Sequence, residues 1–190
     1  MKLASKLESA LAAVVLSSAS QAASIDGSIN FSSGDGGGII LQDSFGNITT
    51  DLAAAAGIQS WLVPEVDTRT DSFISVPEGQ AVSFSQPWVF APSTPMTPLW
   101  TIVGFGDFTF NLSSSTIAFQ DESILLIEGT GILTGTDYDA TPGTWYFSTQ
   151  WVATESKFSW SSSTTAVPET GTPALLSGVL LWICFLRRRD

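Results

Sequence analysis

Carboxylates and indoles carry whatever chemistry this chain can do. Its 190 residues include no histidine and one cysteine, Cys184, which excludes Ser-His-Asp and Cys-His catalysis and His-ligated metal centres. Glycoside hydrolysis needs only two facing carboxylates. Glu65, Glu78, Glu122, Glu128 and Glu155 are available for it, but nothing in their spacing brings any two together, so no catalysis is expected. Calcium prefers oxygen ligands, and Asp137 and Asp139, Asp121 and Glu122, or Asp35 in its glycine-rich stretch could supply them. No EF-hand or repeat-type calcium pattern is present, so no cofactor is expected, with Ca2+ as the alternative. Six tryptophans precede residue 167: Trp61, Trp88, Trp100, Trp145, Trp151 and Trp160. Exposed indoles stack on sugar faces, which makes Trp61 and Trp145 candidate glycan contacts. Most of the six, however, alternate with polar residues on the side that also carries Phe and Val, as core residues do.

A different kind of chemistry, recognition by a processing enzyme, is written into the C-terminus. Val167-Pro168-Glu169-Thr170-Gly171 is followed by an uncharged apolar run from Ala174 to Leu186 and then by Arg187-Arg188-Arg189-Asp190. As a helix at 1.5 Å per residue the run is about 20 Å long, short of a ~30 Å hydrocarbon core. Extension back to Thr172 and Pro173 and snorkelling of the arginines narrow that gap, so the span suits a temporary anchor. The arginines resist translocation and hold their end on the cytoplasmic side. Pro168 and Pro173 keep the motif extended just outside the bilayer, where a peptidase cleft can grip it.

This three-part tail resembles the PEP-CTERM sorting signal of bacterial exosortase substrates: a short Val-Pro-Glu-type motif, one hydrophobic helix and a terminal arginine cluster. Val167, Pro168 and Glu169 match the family's first three positions, and Thr170 stands where proline is usual. The resemblance implies recognition and removal of the tail by an exosortase, a membrane peptidase, with delivery to the cell surface or the exopolysaccharide matrix. Val-Pro-Glu-Thr-Gly also differs only at its first residue from the Leu-Pro-x-Thr-Gly signal of sortase substrates, so cell-wall anchoring is the alternative.

The N-terminus agrees with export. Lys2 and Lys6, the apolar run Ala10 to Leu16, and small residues at Ser20 and Ala22 read as a secretory signal peptide over 1–22, cut by signal peptidase between Ala22 and Ala23. The organisation expected is therefore a signal peptide (1–22), an exported body (23–166) and a sorting tail (167–190), the last divided into motif 167–171, transmembrane helix 172–186 and Arg tail 187–190. The body holds fifteen Asp and Glu against Arg69 and Lys157, a net charge of −13. Nucleic acid is excluded as a partner, because phosphate binding needs a basic surface. Membrane contact is expected only through the C-terminal helix, and exopolysaccharide is the macromolecular partner that the family resemblance implies.

The elements that must carry these residues are strands. Even positions from Trp100 to Leu112 are apolar or glycine while odd ones include Thr101, Asp107, Thr109 and Asn111, the period of a half-buried strand. Val82, Phe84, Trp88 and Phe90 repeat the pattern, and Trp145 and Phe147 alternate with Tyr146 and Ser148. Breaks are expected at Gly34–Gly38, Gly46-Asn47, Pro77–Gly79, Pro92–Pro98, Gly129–Gly131 and Thr141–Gly143. Only Asp51 to Gly57 reads as helical, with Asp51 as N-cap and Gly57 as stop. The expected body is mostly β, an antiparallel β-sandwich or jelly-roll-like fold without disulfides.

Overall fold

The computed structural model describes residues 22–150 and the backbone of 157–164. Twelve strands follow in chain order: β1 (Ala23–Ser24), β2 (Gly27–Gln42), β3 (Ile48–Thr49), β4 (Gly57–Arg69), β5 (Ser83–Phe84), β6 (Trp88–Val89), β7 (Met96–Thr101), β8 (Thr109–Gln120), β9 (Ile124–Thr134), β10 (Tyr138–Asp139), β11 (Thr141–Gln150) and β12 (Lys157–Thr164). The mostly β, antiparallel body expected from the alternation is what forms. A single 3-10 turn, Asp71–Phe73, is the one helical element among the described residues. None of those residues forms a helix long and apolar enough to cross a membrane.

One large sheet runs in the order β5-β7-β8-β9-β11-β12-β2-β4-β6, so the run from β7 to β12 and the pair β2 and β4 follow chain order, and β12 returns to pair with β2. Its two margins meet through residues 79–85. The first half of that segment bonds to β4, with Val66 N donating to Gln80 O at 2.9 Å and Val82 N to Pro64 O at 3.0 Å. The second half pairs with β7, Ser83 opposite Thr101 and Phe84 opposite Trp100, which curls the sheet around a common interior and gives most long strands a partner on each side.

Parity fills that interior. In β11, Thr141, Gly143, Trp145, Phe147 and Thr149 are buried while Pro142, Thr144, Tyr146 and Gln150 are exposed. Apolar residues thus point inward and polar ones outward, the reverse of a wall that faces lipid. Trp88, Trp100, Trp145, Phe31, Phe73, Phe108, Phe110 and Phe147 are all fully enclosed, each contributing about 2–3 kcal/mol of apolar burial. Rings from opposite walls meet: Phe31 of β2 lies edge-on to Trp100 of β7 at 5.0 Å, and Trp61 of β4 to Phe147 of β11 at 5.9 Å.

Both ends are plugged. At one, Gln120 Nε2 donates to the carbonyls of Leu52 and Ala55 at 2.6 and 2.7 Å, which holds Leu52 and Ala55 over the core. At the other, Phe73 packs on Phe108 at 4.6 Å. The 43–47 turn between the C-terminal end of β2 and β3 is closed by Asp43 Oδ1, which accepts from Phe45 N and Asn47 N at 2.8 and 2.9 Å. Those donors, Asn47 N foremost, hold the Asp43 carboxyl below the usual carboxylate range and outweigh desolvation.

Several local expectations are corrected. Residues 99–112 form a hairpin, β7 and β8 joined at 102–108, and not one strand. Gly104 and Gly106, with φ of 90° and 97°, make the turn, and Ile102 N bonds to Phe108 O at 2.8 Å. The even side stays buried because the chain reverses across a ladder that keeps parity. Residues 51–56 make successive turns and no helix, since Gly57 already belongs to β4. Asp51 does accept from Ala53 N at 2.9 Å, a local cap on a turn. Gly34–Gly38 lies within β2 as a bulge, the register jumping from Ser33–Pro64 to Gly38–Leu62. Gly129–Gly131 and Thr141–Gly143 lie inside β9 and β11, where Gly131 stands opposite Gly143 and Gly129 opposite Trp145.

Candidate functional site

The outer wall of β8, β9 and β11 holds a shallow hollow of about 280 Å³ lined by Ala118, Leu126, Glu128, Tyr146 and Ser148, with Ile127 and Phe147 beneath. Strand parity builds it. Leu126 and Glu128 occupy the outward positions of β9, and their direct partners on β11 are Ser148 and Tyr146. On the other side Thr116 pairs with Glu128 and Phe119 with Leu126, and a register shift between Ile117 and Phe119 leaves Ala118 as the extra residue at the rim. Tyr146 is 51% exposed and Leu126 38%, whereas Phe147 and Ile127 on the opposite parity are almost fully enclosed and make the floor rigid. Hydroxyls surround this face: Ser114 and Thr130 meet at 3.1 Å, and Thr144 is exposed. An open phenol ring beside a carboxylate can stack on a flat ligand and hold a cation.

Trp61 and Trp145 are not part of any open surface. Trp145 is fully buried and Trp61 is 7% exposed. Trp61 Nε1 donates to Ser85 O at 3.2 Å, and its ring stacks on Phe84 at 4.4 Å. Sugar stacking on these two indoles is corrected to core packing, because each sits on the inward parity of its strand. Phe45, Phe119 and Tyr146 are the large aromatics that do reach solvent among the described residues, and of these Tyr146 lines the hollow. The signal was legible in principle, since Tyr146 is the polar-parity neighbour of two buried aromatics.

Among the described residues no three acidic or cysteine side chains converge to hold a metal. Asp121 Oδ1 instead caps its own turn, accepting from Ser123 N and Ile124 N at 2.7 and 2.8 Å. Asp139 lies in β10, paired in parallel with β1, and Asp35 and Asp137 are exposed. The glutamates are dispersed as well. Glu65 is bridged to Ala81, Glu78 forms a surface ion pair with Arg69, Glu122 sits in an exposed turn, and Glu128 faces Thr116 and Tyr146. No two are cross-strand partners, and Glu155 lies outside the described residues.

The candidate cleavage junction lies at the start of a separate two-stranded sheet formed by β1 and β10: Ala22 is half-buried, and Ala23 is exposed and opens β1 opposite Tyr138. Val167, Pro168, Glu169, Thr170 and Gly171, the helix expected over 172–186, and Arg187, Arg188 and Arg189 all lie outside the described residues, as does the signal peptide up to residue 21. Comparison with known protein families, characterised proteins and solved structures finds no match to this chain.

Proposed function

We propose that this chain is an exported bacterial surface or exopolysaccharide-matrix protein, sorted through its C-terminal tail by an exosortase, with a structural or interaction body that has no catalysis of its own. The observation that carries the reading is the order of the tail: Val167-Pro168-Glu169-Thr170-Gly171, an uncharged apolar run to Leu186, then three arginines. A helix of this kind over 172–186 holds the intermediate in the inner membrane, and the arginines fix its direction.

The body supports the reading in two ways. β12, the last strand among the described residues, pairs with both β11 and β2 and ends at Thr164, three residues before Val167 in the sequence. It also excludes disulfides by composition and relies on an aromatic core, which suits folding after export in any redox setting. The finer architecture we read as sandwich-like, because β2 and β4 face β7 and β11 across one layer of rings.

Mass spectrometry of the secreted protein tests the proposal. A start at Ala23 and a new C-terminus between Val167 and Gly171 are expected, whereas extracellular material that retains Arg187-Arg188-Arg189 would sink it. The Thr170-Gly171 pair favours a second reading, sortase handling, which predicts cleavage between those two residues and linkage to cell-wall peptide.

A further inference from the structure

The hollow on β8, β9 and β11 has a composition that selects its occupant. Its platform is the exposed ring of Tyr146, its charge is the carboxylate of Glu128 directly across the ladder, and Ser148 and Leu126 complete the walls. We propose that this hollow binds a glycan bearing free amino groups, a partly or fully deacetylated hexosamine polymer, with a sugar face stacked on Tyr146 and an ammonium held by Glu128. The inference rests on the matrix-protein reading and deepens it by giving the body a ligand class.

Three observations select this occupant. An aromatic ring laid open on a rigid strand accepts the C–H face of a sugar, and a carboxylate beside it adds a charge-assisted bond and a cation–π arrangement for an ammonium. The field of the body has the matching sign: fifteen acidic residues against two basic ones repel anionic polysaccharide and attract cationic polymer. Finally, β9 and β11 are each paired along both sides, so an extended peptide finds no edge to add to. Ser159 and Ser161 of β12 stand opposite Ser148 and Tyr146 in register.

Calorimetric titration of the full chain with glucosamine oligomers, their N-acetylated counterparts and oligogalacturonate tests the proposal. Glucosamine oligomers are expected to bind, more weakly as NaCl rises, and both Tyr146→Ala and Glu128→Gln are expected to weaken them at least about tenfold. Tyr146→Phe keeps the platform and retains binding. Both weakening variants should melt at the parent temperature, since the two side chains face solvent. Absence of binding, equal binding of the acetylated oligomers, or indifference to Glu128→Gln overturns the proposal. So does competition by polylysine that is unaffected by Tyr146→Ala, which would reduce the site to a generally acidic surface. The titration reads neither export nor tail cleavage, so failure of the sorting reading and failure of this one are separately visible.

Discussion

Gly129 sits in the middle of β9, where its lack of a side chain is a packing requirement. A Cβ built there would fall on the Trp145 indole and on the backbone carbonyl of Ser114. Gly131, two residues on, is confined in the same way by Phe110 and by the carbonyl of Asn111. Large rings on β11 and β8 are therefore admitted by small residues on the strand between them, as close packing demands. Because a carbonyl cannot yield as a flexible side-chain end can, Gly129→Ala is expected to destabilise the fold by about 1–3 kcal/mol. A urea titration checks this, with a lower midpoint and an unchanged slope expected; a variant as stable as the parent would show that β9 can move. Read along the sequence, Gly129-Thr-Gly131 looks like a chain break, because a glycine that makes room and a glycine that makes a turn are the same letter. Trp61, Trp88, Trp100 and Trp145 were legible as core through their alternation, but Tyr146 gains its significance only from being the exposed ring next to Trp145 on β11.

At the level of elements, the curled sheet needs closed ends, and Gln120 supplies one closure. It is the last residue of β8, and its side chain crosses to two carbonyls of the 51–56 segment, more than sixty residues away in the chain. Gln120→Ala leaves those carbonyls without their donor and is expected to cost about 1–2 kcal/mol. Hydrogen exchange localises the effect: the amides of Ala55 and Ala56 should lose protection first, with β9 and β11 unchanged. Uniform loss of protection across the sheet would instead make the segment part of the cooperative core. The Ala-rich run at 52–56 has good helix propensity, yet five residues are too few to nucleate a helix and their apolar atoms are stabilised better over the aromatic core. Tertiary burial thus overrides local preference there. The 102–108 turn is the converse case, in which the alternating pattern hides a reversal that Gly104 and Gly106 make without steric cost.

For the molecule as a whole, charge and closure set the behaviour. A body of net charge −13 repels itself, and the one ion pair among the described residues, Arg69 with Glu78, is at the surface and contributes little. Screening should therefore stabilise the fold: the melting temperature is expected to rise by a few degrees between about 10 and 150 mM NaCl, where the Debye length shortens from roughly 30 to 8 Å. A flat or falling profile would mean that the carboxylates are already spaced beyond mutual reach. The sequence by itself determined the class of the body, because period-two alternation buries one face of a strand wherever its partners lie, and it determined the chemistry excluded by the missing histidine and the lopsided charge. The proposed sorting motif also lies wholly within one stretch of consecutive residues, 167–171, and so needs no tertiary structure to be read. Only the tertiary structure decided which strands meet, that residues 79–85 join the two margins, that Trp61 and Trp145 are sealed inside, and that Glu128 and Tyr146 stand side by side. Those are contacts between residues distant in the chain, and register across a ladder is fixed by the packing of the whole sheet, which no local run of residues encodes.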